Sequence, residues 1–341
     1  MATTFNLLTL RRLENLVVMD AEKLLALPDG RTLAYEHTGP PTSPSVIIFF
    51  SGTLSVGSAS PARHHPALAS AHYIAPTLPG YGNTSPPSKG VTYAATIAGD
   101  MCALLNDLYP DQGPVDLYIA GGSFGTVAAQ MLYGAPFDTF PQGRNIRKML
   151  LLSGIPPIEP DFNYARWMTW QNYIAAGPPA RYIPFRIIPR LIKRVVEPKL
   201  KTQETAEAFI RQILFDKMDA AERELFKKWK EEKGHEEGQF EREMAQMNRR
   251  SVAKSWEGLM STPEVVHSEW WGGKKLAELD DEHTKGRKVL LVAGDKDDAT
   301  PPQWSEHLAS KYTNARLKMM KGGHISAIYQ MDDIFAEFMN M

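Results

Sequence analysis

The chain has 341 residues, 43% of them apolar and 23% charged, a length and composition that suit one large soluble core carrying an insertion. Its 38 basic residues against 39 acidic ones leave a net charge of -1 without a marked basic stripe, which argues against a nucleic-acid partner. A single cysteine, Cys102, excludes an intramolecular disulfide and a cysteine-cluster metal site, and points to a reducing, cytoplasmic setting.

Residues 1–20 mix Leu and Val with Arg11, Arg12 and Glu14 and read as a short amphipathic lead-in helix, not as an apolar signal core. The runs 23–27 and 32–37, joined by Pro28-Asp29-Gly30-Arg31, read as a hairpin at one sheet edge. Val46-Ile47-Ile48-Phe49-Phe50 has no polar alternation, which predicts a strand buried on both faces of a parallel sheet. It leads into Ser51-Gly52-Thr53-Leu54. A small-residue helix over 61–70, a strand over 73–76 and the loop Pro79-Gly80-Tyr81-Gly82 follow. Helical spacing of Ile97, Met101, Leu104, Leu105 and Leu108 predicts a helix over 92–108.

The next stretch carries the chemistry. Residues 115–120 form an apolar strand ending in Gly121-Gly122-Ser123-Phe124-Gly125, and 127–133 continue as a helix. A serine at the tip of a tight strand-to-helix turn has its hydroxyl pushed clear of the sheet, as a nucleophile requires. The five-residue pattern alone is weak, because a serine there could simply cap the helix. Two further apolar strands, 148–153 and 288–293, give the alternation expected of a doubly wound α/β sheet, and a last strand is predicted over 315–320. Helices are expected over 302–311 and 325–339.

Between the strands 148–153 and 288–293 the periodicity turns helical. Thr202 can cap a helix carrying Ala206, Phe209, Ile210, Ile213 and Leu214, and Asp219 with Glu222 resembles a capping box ahead of Leu225, Phe226 and Trp229. Residues 231–250, rich in both signs of charge, read as a solvated helical face. The division expected is a core of 21–156 and 274–341 with a helical lid inserted over 157–273. No run of 18 apolar residues is present, so no membrane span is expected.

Gly121-Gly122-Ser123-Phe124-Gly125, Gly294-x-x-Asp297-x-x-x-Pro301, Gly323-His324 and the Pro79-Gly80-Tyr81-Gly82 loop, in this order of chemistry, resemble the α/β-hydrolase superfamily over nearly the whole chain. The resemblance implies a serine hydrolase with Ser123 as nucleophile, His324 as general base and Asp297 orienting the imidazole. Among the flanking acids it favours Asp297 over Asp295, and Asp298 least. The oxyanion would be met by the backbone N–H groups of Phe124 and Thr53. The chain departs from the family in having Ser51-Gly52-Thr53 where His-Gly is common, which leaves the backbone donor but alters the loop. Its Gly-Gly-Ser-Phe-Gly-Thr string is similar to that of prolyl aminopeptidase relatives, but their Gly-rich His-Gly-Gly-Pro-Gly loop is absent, so peptidase activity is not expected. A serine at the elbow also excludes the epoxide-hydrolase and dehalogenase chemistry that needs aspartate there.

The substrate expected is a small, bulky and largely apolar ester, thioester or lactone. The same triad could instead serve carbon–carbon cleavage, acyl transfer or ring formation, and a non-catalytic ligand receptor on this scaffold is a third reading. Of Trp167, Trp170, Tyr173, Tyr182, Phe185, Trp256, Trp270 and Trp271, most are expected to fill the lid's own core, the rest lining a cleft toward the sheet. Trp167 and Trp170, three apart, are read as sharing a helix face; with Leu54, Tyr173 and Trp256 they are the candidate substrate contacts. His64 and His65 stand near the oxyanion loop and read as solvated, with either able to face the pocket. Residues 295–306 have the length of a calcium loop but lack its central glycine and contain Pro301 and Pro302, and no phosphate-binding loop is present; neither metal nor nucleotide cofactor is expected. The oligomeric expectation stays open between monomer and homodimer.

Overall fold

The computed structural model describes residues 22–60, 65–110, 116–159 and 162–341; the lead-in helix expected over 1–20 lies outside the described residues. Among them, eight strands make one sheet: β1 (Lys23–Ala26), β2 (Thr32–Thr38), β3 (Ser45–Phe50), β4 (His72–Pro76), β5 (Asp116–Gly122), β6 (Ile146–Leu152), β7 (Lys288–Gly294) and β8 (Ala315–Met320). Their order is β1-β2-β4-β3-β5-β6-β7-β8. Only β1 with β2 and β2 with β4 pair antiparallel; from β4 across to β8 the sheet is parallel.

The unbroken apolar strand runs have a direct cause in this arrangement. Val46, Ile48 and Phe50 face one core, and Ile47 faces the other. The same alternation continues through Leu117 and Ile119 against Tyr118 and Ala120, and through Val289 and Leu291 against Leu290 and Val292. With helices on both faces, neither side of a central strand meets water, so neither needs polar residues. One face is covered by α1 (Tyr93–Leu108) and α2 (Gly125–Tyr133); Thr92 caps α1 by accepting from the Ala95 N–H at 3.2 Å.

Between β6 and β7 the described residues hold eight α-helices and no ladder strand beyond an isolated Trp271–Lys274 bridge. They are α3 (Trp170–Ala176), α4 (Pro178–Tyr182), α5 (Ile187–Val196), α6 (Gln203–Ile210), α7 (Ala220–Glu232), α8 (Gln239–Val252), α9 (Glu257–Val266) and α10 (Asp281–Thr284). Thr202 and Asp219 cap α6 and α7 as their sequence positions predict. The helix expected to carry Ile213 and Leu214 departs from the α form after Ile210, where Arg211–Phe215 makes one π-helical turn. After β7 and β8 come α11 (Pro302–Lys311) and α12 (Met331–Asn340), and α12 packs Ile334, Phe335 and Phe338 on the second sheet face. In the part of 61–70 that is described, the expected helix is only a 3₁₀ turn, Pro66–Leu68.

The tightest packing in the fold joins β3, β5 and α2. A Cβ at Gly125 would lie 2.0 Å from the Phe50 carbonyl oxygen, and one at Gly121 would lie 2.4 Å from the Gly125 carbonyl oxygen. Backbone on both sides leaves nothing that can swing away. Gly125→Ala is therefore expected to destabilise the fold by at least about 2–3 kcal/mol, the cost of forced overpacking, as read from urea unfolding of both proteins.

Candidate active site

Strand β5 ends at Gly122 and α2 begins at Gly125, so Ser123 and Phe124 make the whole turn. Ser123 sits at φ 52°, in the left-handed region that L-residues occupy at a cost of roughly 1–3 kcal/mol. Three bonds hold it there. Its N–H donates to the Leu152 carbonyl at 2.8 Å, and its carbonyl accepts from the N–H and hydroxyl of Thr126 at 2.9 and 2.6 Å. The loop after β3 lies directly against the serine, because a Cβ at Gly52 would be 3.2 Å from Ser123 Cβ and 3.7 Å from its Oγ. Among the described residues, no acceptor pairs with the amides of Thr53 or Phe124.

The next two groups arrive from the ends of β7 and β8. His324 Nε2 is 3.0 Å from Ser123 Oγ, and its Nδ1 is 2.8 Å from Asp297 Oδ2 and 3.0 Å from Oδ1. Asp297 is buried and saturated with donors. The N–H groups of Ala299 and Thr300 reach Oδ1 at 2.9 Å each, and the Thr300 hydroxyl donates to Oδ2 at 2.7 Å. A carboxylate on one ring nitrogen assigns the proton to Nδ1 and leaves Nε2 free to accept from the serine hydroxyl.

Burial opposes charge on both partners, and their mutual attraction outweighs it. For His324, burial would lower the pKa, but the Asp297 carboxylate raises it above the ordinary histidine value. For Asp297, burial would raise the pKa, but His324 and the Thr300 donors bring it below the ordinary carboxylate value. The flanking acids point elsewhere. Asp295 accepts from Lys321 Nζ at 2.7 Å and from the Gly322 N–H at 3.1 Å, and Asp298 pairs with Lys217 at 2.7 Å. Each carboxylate of the 295–298 string is thus held by cations or by N–H and O–H donors.

Residues of the helical segment grip both loops. Glu222 on α7 accepts from the Gly323 N–H at 2.9 Å and from the Tyr329 hydroxyl at 2.6 Å. This corrects the capping-box reading: Asp219 accepts from the Glu222 N–H, but the Glu222 carboxylate reaches the histidine loop instead of turning back. Asp219 also pairs with Lys296, and Asn172 on α3 donates to the Asp298 carbonyl at 2.8 Å. Thr300 is not singled out by the sequence, and Glu222 is read there only as part of a helix cap. Asp297-x-x-Thr300 carries the signature of an aspartate-centred turn, whereas nothing local to Glu222 marks its distant partner.

The aromatic residues distribute differently from expectation. Trp270 and Trp271 are buried, but in the main core against the sheet, where the Trp271 indole donates to the Gln130 carbonyl at 2.9 Å. Trp167 and Trp170 do not share a helix: Trp167 ends a 3₁₀ turn, and Thr169 caps a separate helix starting at Trp170. Trp167 stacks on Phe162, while Trp170 is exposed and stacks on Tyr173; Tyr182 and Phe185 are exposed too. Leu54 and Trp256 are half-buried on one apolar cluster with Ile325, the residue after His324. A cavity of about 610 Å³ lined by Phe215, Met218, Phe226 and charged neighbours lies in the helical segment and is not lined by Ser123, His324 or Asp297. His65 is buried rather than solvated, 3.1 Å from Asp332 and edge-on to Phe335 of α12; His64 lies outside the described residues.

A model of the alpha/beta hydrolase family matches residues 47–338. The chain belongs to that family. Among curated proteins no sequence matches it. Of solved structures, it is similar to a hydrolase from Pseudomonas aeruginosa PA01, with 18% identity and a TM-score of 0.59 over 94% of this chain and 99% of the other. It is also similar to the enol-lactonase from Burkholderia xenovorans LB400, at 16% identity and a TM-score of 0.58 over 94% of this chain and 100% of that one. A third similarity is to the esterase EaEST from Exiguobacterium antarcticum, at 14% identity and a TM-score of 0.57 over 94% and 98%. At these identities the likeness shows the shared hydrolase-family fold.

The His324 ring should titrate with a midpoint above its ordinary value of about 6.5 when followed by NMR. In Asp297→Asn the attraction is gone and burial remains, so the midpoint should fall below that of the parent protein.

Proposed function

We propose that this chain is a serine hydrolase acting on esters, thioesters or lactones of bulky, largely apolar small molecules. What carries the reading is one unbroken chain of hydrogen bonds, Ser123 Oγ to His324 Nε2 and His324 Nδ1 to Asp297, set on a strained turn at the sheet edge. A serine hydroxyl is too weak an acid to attack a carbonyl unaided at neutral pH, so the imidazole takes its proton as the Oγ–C bond forms. Asp297 then stabilises the imidazolium. The oxyanion is met by the amides of Phe124 and Thr53, which have no acceptor among the described residues. His324 returns its proton to the leaving oxygen or sulfur, which departs and leaves an acyl-enzyme on Ser123. It next deprotonates a water whose attack releases the acid and restores the serine.

On this reading residues 157–273 act as a lid over a core of 21–156 and 274–341. Support for an apolar substrate comes from Leu54 and Ile325, which adjoin the oxyanion loop and the base and pack against the same apolar cluster of the helical segment as Trp256. The esterase and lactonase activities named for two structural neighbours agree with the reaction class.

A fluorophosphonate probe should label the parent protein and leave Ser123→Ala unlabelled, and Ser123→Ala should lower kcat on an active ester by about four orders of magnitude. Thermal unfolding of the variant should match the parent, since residue 123 lies on a turn outside the core. Labelling that persists in Ser123→Ala, or a parent protein inert to the probe, would overturn the assignment. Activity of the parent should rise with pH as His324 loses its proton, with its half-maximum above about pH 6.5 because Asp297 raises that pKa.

A further inference from the structure

Helix α5 and the turn before it carry an apolar surface that neither the sheet nor the proposed reaction uses. Ile187, Leu191 and Val195 are 42%, 55% and 61% exposed, and their four-residue spacing lines them up along one side of the helix. Pro189, on the opposite side, is buried, and so is Ile188 at the edge of the line. Just ahead, Tyr182 and Phe185 are 74% and 78% exposed. Phe185 and Arg186 are both left-handed, at φ 59° and 53°, a conformation that is rare for bulky side chains. Arg186 is pinned by Glu264 at 2.6 and 2.7 Å and by Glu257 at 2.7 Å. The turn is thus actively held in a shape that leaves a phenyl ring in water. Exposed apolar side chains concentrated in so short a stretch of chain are of the kind that mark an interaction surface.

Charge indicates what that contact is. Residues 178–201 contain Arg181, Arg186, Arg190, Lys193, Arg194, Lys199 and Lys201 against the single acid Glu197, in a chain whose net charge is -1. Arg190 and Arg194 fall beside the Ile187-Leu191-Val195 line, are exposed, and make no ion pair among the described residues. A second copy docking the same face by two-fold symmetry would bring these unpaired cations together, which disfavours self-association.

We propose that the 182–186 turn and α5 form a peripheral docking face for an anionic lipid bilayer. The apolar stripe would enter the boundary between headgroups and acyl chains, while Arg190 and Arg194 face lipid phosphates. The proposal does not rest on the reaction assigned above, because Ser123→Ala should bind the surface as the parent does.

The test is co-sedimentation of the full chain with vesicles of phosphatidylcholine alone and of phosphatidylcholine mixed with phosphatidylserine. The parent and Ser123→Ala should sediment with the mixed vesicles, less so as salt is raised, and far less with phosphatidylcholine alone. Arg190→Gln and Arg194→Gln should each lower partitioning by about fivefold. Phe185→Ser combined with Leu191→Asp should abolish it, whereas Lys227→Gln and Lys228→Gln on α7 should leave it unchanged. All these side chains are exposed, so matching thermal unfolding curves are expected. No sedimentation at low salt, or equal sedimentation of the parent and the α5 variants, would overturn the proposal. So would a concentration-dependent dimer that Leu191→Asp disperses, since a second copy would then be the occupant.

Discussion

At the end of β3 the carbonyl oxygen of Phe50 occupies the space where any side chain at position 125 would have to go, and the Gly125 carbonyl does the same to position 121. Because both positions lack a Cβ, β5 can reverse into α2 within two residues. The turn is bought with a left-handed serine, and the bonds from Ser123 to Leu152 and Thr126 offset that strain at about 1 kcal/mol apiece. From this one crowded junction follows the exposure of Oγ at the carboxyl edge of the sheet. Since β5, β7 and β8 run parallel, their following loops all open at that edge, and residues separated by 201 positions can meet at 3.0 Å.

Electrostatics complete what the topology begins. A lone buried carboxylate would be costly, yet Asp297 is surrounded by two backbone N–H groups, a hydroxyl and an imidazole that stabilise its charge. The retained charge in turn sets the tautomer and basicity of His324. The same logic separates the three neighbouring acids: Asp295 and Asp298 are neutralised by Lys321 and Lys217 on the outside of the loop, and only Asp297 turns inward.

The sheet was legible because its signal is local. An apolar run buried on two faces has a composition that little else shares, and β3, β5, β6 and β7 fall within one or two residues of the runs that announce them. Ser123, Asp297 and His324 were legible for a related reason, each standing just after such a run. The helical segment was less so. Helical periodicity says that a residue faces something without saying what, and Trp270 and Trp271 face the main core where a separate small core was expected. The break between Trp167 and Trp170 turns on the extended backbone of Met168 and Thr169, which spacing alone does not reveal. Glu222 shows the limit most clearly: its sequence neighbourhood suits a cap, and its partner lies 101 residues away.

That last contact has a mechanical corollary. Glu222, Lys217 and Asn172 belong to the helical segment between β6 and β7, yet they clasp the segments that carry His324 and Asp297. Were those helices to swing outward as one rigid flap, the imidazole and its acid would lose their moorings together. On the proposed reading of that segment as a lid, admitting a ligand and assembling the reactive groups would be one coupled event: an open gate would also be a disarmed one.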